Sequence, residues 1–98
     1  MNNAEAASPI RVDRSRLYGR RHLIVKFVNK GTVAADEVVF RFHYRGAERV
    51  VHDIGSFSPG TSIRHEFLGV FPILPPEHDV LAIVDSVHFV NGSQWKKP

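Results

Sequence analysis

The 98-residue sequence predicts an all-β fold, a two-sheet antiparallel β-sandwich of about seven strands, and three observations carry that reading. Along residues 37–45 two chemically different sets of side chains alternate: Val38, Phe40, Phe42 and Tyr44 on one face, Val39, Arg41, His43 and Arg45 on the other. Successive strand residues point to opposite sides of a sheet, whereas a helix would scatter these groups around its circumference, so the period of two describes a strand with one dry face. Turn-forming residues recur along the chain at intervals of about eight to twelve positions, the rhythm of short strands. No segment shows a sustained helical period.

The elements follow in order. Residues 1–8 are small and polar and read as a flexible leader, leaving 9–98 as one domain. Residues 10–17 alternate imperfectly, with Ile10, Val12 and Leu17 apolar among arginines, and read as an edge strand. Tyr18-Gly19-Arg20 makes a turn, and residues 22–28 form a strand with Leu23, Val25 and Phe27 inward. Asn29-Lys30-Gly31-Thr32 has turn chemistry, since Asn and Gly tolerate positive φ. Val33-Ala34-Ala35-Asp36 is too short for a stable helix and suits a close connection into the strand at 37–45. Gly46-Ala47-Glu48 is a hairpin-length link to a return strand at 49–54.

Residues 57–62 form the next turn, Pro59 presetting φ for its first corner and Gly60 accepting the second. In residues 63–67, Ile63, His65 and Phe67 share a face. Pro72, Pro75 and Pro76 prevent ladder pairing in 69–78, which reads as an apolar connection with Val70, Phe71, Ile73 and Leu74 partly buried. Residues 79–90 offer Leu81, Ile83, Val87 and Phe89 to the core; Asp85 falls on their side and predicts a bulge or an outward kink. Asn91-Gly92 predicts a two-residue type I′ hairpin that folds Trp95 back on the sheet. The count and spacing of these strands make the pattern of an immunoglobulin-like sandwich.

Composition bounds the rest. Hydrophobic residues make up 43% and charged residues 23%, and seven Phe, two Tyr and one Trp supply core material that needs no metal or disulfide staple. The absence of Cys excludes a disulfide framework, a thiolate metal site and a Cys nucleophile together. The N-terminus lacks the basic start and apolar run of a signal peptide, and no stretch approaches the roughly 20 apolar residues of a membrane-spanning helix, so no membrane insertion is expected.

The run Val25-Lys26-Phe27-Val28-Asn29-Lys30-Gly31-Thr32, with Ala35 and Val38-Val39-Phe40, resembles the bacterial immunoglobulin-like modules of the cell-adhesion-related (CARDB-like) type. Gly55-Ser56-Phe57-Ser58-Pro59-Gly60 looks like the turn before a later strand of those modules, so the resemblance covers residues 23–67. The Arg-rich start and the Pro-rich connection lie outside that pattern. What the resemblance implies is a non-catalytic module of an exported or envelope protein.

Candidate chemistry is sparse. His22, His43, His52, His65, His78 and His88 are many for this length, and neutral imidazole ligates transition metals. No H-x-H or H-E-x-x-H spacing occurs, so scattered polar-face histidines are the expectation and no metal or other cofactor is foreseen. A hydrolase needs nucleophile, base and orienter within hydrogen-bond reach, and no Gly-x-Ser-x-Gly elbow or phosphate-cradling loop is present, so the chain is read as no enzyme.

Two cationic groups remain. Arg41, His43 and Arg45 form a partner-binding strip suited to an acidic protein surface or an anionic glycan, or else they pair with Glu37, Glu48 or Glu66 and solubilise the sheet. The formal charge is +3 and the pI about 9.7, and Arg11, Arg14, Arg16, Arg20 and Arg21 crowd into eleven residues against Asp13 alone. That cluster offers an alternative role in binding an anion or nucleic acid, against which stands a charge-protected edge strand. The expectation is therefore a non-enzymatic binding or assembly module acting through an exposed sheet face or edge strand, in an extracytoplasmic bacterial protein.

Overall fold

A computed structural model describes residues 8–18, 22–71 and 78–98. Eight strands form two antiparallel four-stranded sheets: β1 (Ile10–Tyr18), β2 (His22–Asn29), β3 (Ala35–Tyr44), β4 (Ala47–Phe57), β5 (Ser62–Leu68), β6 (His78–Asp79), β7 (Leu81–Phe89) and β8 (Gln94–Lys96). One sheet has the order β5-β2-β1-β6 and the other β4-β3-β7-β8, so the chain changes sheet between β2 and β3, between β4 and β5, and between β6 and β7. The sheets pack face to face as a β-sandwich, with one strand more than expected because His78 and Asp79 pair with Leu17 and Arg16. No helix among the described residues is long and apolar enough to cross a membrane.

The core is made by the alternating faces. Leu23, Val25 and Phe27 of β2 meet Val38, Phe40 and Phe42 of β3, all fully buried. Phe27 sits at the centre, its ring edge-on to Phe40 at 5.2 Å and Phe57 at 5.3 Å. Burial of large aromatic rings in tilted contact is the main favourable term in a sandwich of this size. Tyr44 and Trp95 pack against the same core from its margins.

Four turns or connections differ from the sequence reading, each for a local reason. Asn29 does not turn the chain; it ends β2 fully buried. Its Nδ2 donates to Val33 O at 2.9 Å and Phe57 O at 3.0 Å, while its Oδ1 accepts from Gly31 N at 2.9 Å. One amide thus ties the ends of three strands. The β3–β4 hairpin turns at Arg45-Gly46 (φ 48° and 79°), the two positive values of a type I′ turn, so β4 begins at Ala47, next to the turn. Phe57 closes β4 as a buried core ring instead of opening the following turn.

The β7–β8 turn holds three residues, 90–92, between the bonded pair Phe89 and Ser93, not two. Gly92 N donates to Phe89 O and Phe89 N donates to Ser93 O, with Gly92 alone at positive φ (88°). Asn91 is not at positive φ, and its Oδ1 accepts from Ser93 N and Ser93 Oγ, a local turn of its own. Tyr18 ends β1, while Gly19 and Arg20 of the turn expected at 18–20, Arg21, the leader residues 1–7, and Pro72, Ile73, Leu74, Pro75 and Pro76 lie outside the described residues.

Two bulges set which side chains face outward. The bulge expected at Asp85 is present, since Val39 pairs with Ser86 and Phe40 with Val84. Its consequence is a change of parity: Ala82 and Val84 point inward before it and Val87 and Phe89 after it. Leu81, 62% exposed, and Ile83 therefore lie on the outer face, correcting their placement in the core. In β1, Val12 pairs with Phe27 and Arg14 with Lys26, which leaves Asp13 as the extra residue. That bulge explains the imperfect alternation of β1: Val12, Ser15 and Leu17 face inward and Arg14 faces out. Strand β1 is flanked by β2 throughout and, among the described residues, by β6 at Arg16 and Leu17, so its other side is an edge over residues 10–14.

Candidate binding faces

The outer face of β4-β3-β7-β8 holds a shallow depression of about 680 Å³. Register builds it: Arg41 of β3 lies between Val50 of β4 and Ile83 of β7, and Val39 between His52 and Ser86. Val39, Val50 and Ile83 are the apolar part of its floor, which Arg41 crosses between Val50 and Ile83, and His43, Glu48, His52, Asp85 and Lys97 stand around it. Val50 is 45% exposed, and Ile54, further along β4, is 74% exposed.

Arg41 is held rather than free. Its Nε and Nη2 donate to Asp85 Oδ2 at 2.9 Å and 2.8 Å, and Nη1 pairs with Glu48 Oε2 at 3.0 Å. The Asp85 hydrogen bond, more than any other influence, keeps the guanidinium pKa above its ordinary value. His43 Nε2 lies 3.3 Å from Glu48 Oε1, and Lys97 Nζ 3.7 Å from Asp85 Oδ1. The strip expected to be cationic is thus a network of alternating charges that fixes side chains around the apolar floor. Arg45 is not part of it: in the hairpin turn its guanidinium lies over the Tyr44 ring, 5.5 Å from the centroid.

Five histidines each pair with one carboxylate: His22 with Glu66, His43 with Glu48, His52 with Glu37, His65 with Asp53 and His88 with Asp36. His78 instead meets the Tyr44 ring edge-on. Among the described residues no three His, Asp or Glu side chains gather where they could hold a metal ion. The His65–Asp53 pair, 2.7 Å apart, links β5 to β4 across the open side of the sandwich. Burial pushes the Asp53 carboxyl pKa up, and the His65 hydrogen bond opposes that rise.

The arginines of β1 diverge. Arg11 Nε binds Asp13 Oδ1 at 2.7 Å, and Arg16 Nη1 binds Asp79 Oδ1 at 2.9 Å while its guanidinium lies over Tyr18. Arg14 alone of the three projects from the outer face of β5-β2-β1 without a partner among the described residues, and there it stands opposite Lys26, which stands opposite Arg64. Sequence alone does not single out Lys26 and Arg64, because their company is set by strand pairing across long separations. The signal available in the sequence was only that each sits on the polar face of an alternating strand.

Comparison with protein-family models, with curated proteins and with solved structures returned no match for this chain.

Proposed function

We propose that this chain is a non-catalytic binding or assembly module of immunoglobulin-like type, engaging a protein partner through the outer face of β4-β3-β7-β8. The observation that carries the reading is the apolar floor of Val39, Val50 and Ile83 on an outer face, Val50 exposed and the other two half-buried. The outward face of a two-layer sandwich is ordinarily polar, and apolar side chains set among charged groups that are held in place have the anatomy of a protein interface. The charge network of Arg41, Asp85, Glu48 and Lys97 supports this reading, because it holds the rim in place and leaves the floor as the surface to be covered. The resemblance of residues 23–67 to bacterial immunoglobulin-like modules supports an exported or envelope setting.

Selection of peptides from a displayed random library on the wild-type chain tests it, with Val50→Glu and Ile83→Glu as counter-targets. Both substitutions lie outside the core, and their folding is checked by thermal melts. Peptides with apolar anchors that bind the wild type and lose at least tenfold on both variants support the reading. Selected peptides that bind both variants as well as the wild type, or a failure to enrich any, contradict it.

A further inference from the structure

The opposite face of the sandwich carries a second feature. Arg14 of β1, Lys26 of β2 and Arg64 of β5 are direct cross-strand partners, in one line perpendicular to the strands. Adjacent strands lie about 4.8 Å apart, so the row presents three positive charges at roughly 5 Å intervals. All three side chains are exposed, and none has a carboxylate, carbonyl or ring partner among the described residues. Arg11, Arg16, Arg41, Arg45 and Arg49 are each tied to an acid, a carbonyl or a ring.

Like charges placed directly opposite destabilise a sheet. The acids nearest the row are engaged elsewhere: Glu66, on the next register position of β5, pairs with His22, and Asp13, beside Arg14 in the bulge, pairs with Arg11. The row also depends on the Asp13 bulge, without which Arg14 would point into the core beside Val12. Three strands therefore cooperate to set these charges side by side without neutralising them.

We infer that this row binds a polyanionic polysaccharide, a sulfated or carboxylated glycan laid across the strands with its acidic groups along Arg14, Lys26 and Arg64. Charge complementarity selects an anion of repeated negative charge, and the arginines suit planar oxyanion groups. The flanking positions fit a sugar chain: Ile24 and Val28 lie half-buried on either side of Lys26, able to meet the apolar faces of sugar rings. Single-stranded nucleic acid fits less well, because base stacking needs an aromatic platform. Tyr18, two register positions from the row beyond Arg16, is covered by the Arg16 guanidinium at 5.8 Å.

Binding to immobilised heparin in a sodium chloride series is the test, comparing the wild type with the triple variant Arg14→Gln, Lys26→Gln, Arg64→Gln. A second triple variant, Arg45→Gln, Arg49→Gln, Lys97→Gln, removes equal charge elsewhere. The expected result is binding by the wild type at 50 mM salt, a loss of about 100-fold in the first variant, and a change within threefold in the second. The slope of log affinity against log salt should fall by about 3 in the first variant alone, one for each lost ionic contact. The first variant should also melt above the wild type, since it removes unrelieved repulsion. Equal losses in both variants, no wild-type binding, or tighter binding to a 20-nucleotide single strand or to phosphatidylserine vesicles than to heparin overturns the inference.

Discussion

Asn29→Ala should be the most costly polar substitution in the chain, although the residue carries no charge and touches no binding face. The amide is fully buried and makes three hydrogen bonds, to Val33 O, Phe57 O and Gly31 N. A net contribution of about 1 kcal/mol per hydrogen bond gives about 3 kcal/mol, with a range of about 2–4 kcal/mol. The bond to Phe57 O decides where in that range the value falls, because it is the buried one and water cannot replace the lost donor. For a domain of this size that corresponds to a Tm lowered by about 10–30 °C.

Equilibrium unfolding in guanidinium chloride measures the loss directly, with Asn91→Ala as the exposed counterpart expected to cost under about 0.5 kcal/mol. Asn29→Asp keeps the shape and the acceptor for Gly31 N but faces two carbonyls with a buried acid, and should cost at least as much at neutral pH. A loss below about 0.5 kcal/mol in Asn29→Ala would refute the claim that this amide ties the strand ends together.

Three further outcomes are expected. The Asp53 carboxyl has a folded pKa above its ordinary value near 3.8, so the folded state holds the proton more firmly than the unfolded chain. Its contribution to stability is therefore present at low pH and lost as pH rises through the raised pKa; in urea melts between pH 3 and 5, the stability of wild type relative to Asp53→Asn should fall with rising pH, and a rise would contradict the burial of this acid. Phe27→Ala should cost about 3–5 kcal/mol by calorimetry, whereas Ile54→Ser, 74% exposed, should stay within about 0.5 kcal/mol. Gly92→Ala should lower stability by about 1–2 kcal/mol, because Gly92 has φ of 88° with open space around it and the cost is backbone strain alone, readable as a shift of the urea midpoint at unchanged slope.

What was legible in the sequence was local. The inward sets Val38, Phe40, Phe42 and Leu23, Val25, Phe27 follow from alternation, because a strand's two faces are written in its own residues. Alternation also marked where it would fail: Asp85 stands out as a bulge in an otherwise apolar face. What a bulge does to the residues on either side is harder to read, so Leu81 and Ile83 were placed in the core when the extra residue turns them out to solvent. The same effect at Asp13 hides the orientation of Arg14.

The rest was illegible because it is non-local. The Arg14–Lys26–Arg64 row joins residues up to fifty positions apart through two strand pairings that no periodicity encodes. Asn29 has a residue type common in turns, and only the arrival of Phe57 O and Val33 O beside it makes it a buried tie. Arg41 was recognised as outward-facing, yet its engagement depends on Asp85 being turned to the same face by a bulge.

Recognition of different partners by the two outer faces of one sandwich is decided by amide shift mapping in nuclear magnetic resonance. Titration with a library-selected peptide should shift the amides of Val39, Arg41, Val50 and Ile83 and leave those of Arg14, Lys26 and Arg64 in place, and a heparin oligosaccharide should do the reverse. Both ligands shifting the same set of amides, or shifts confined to the sheet edges, would contradict it.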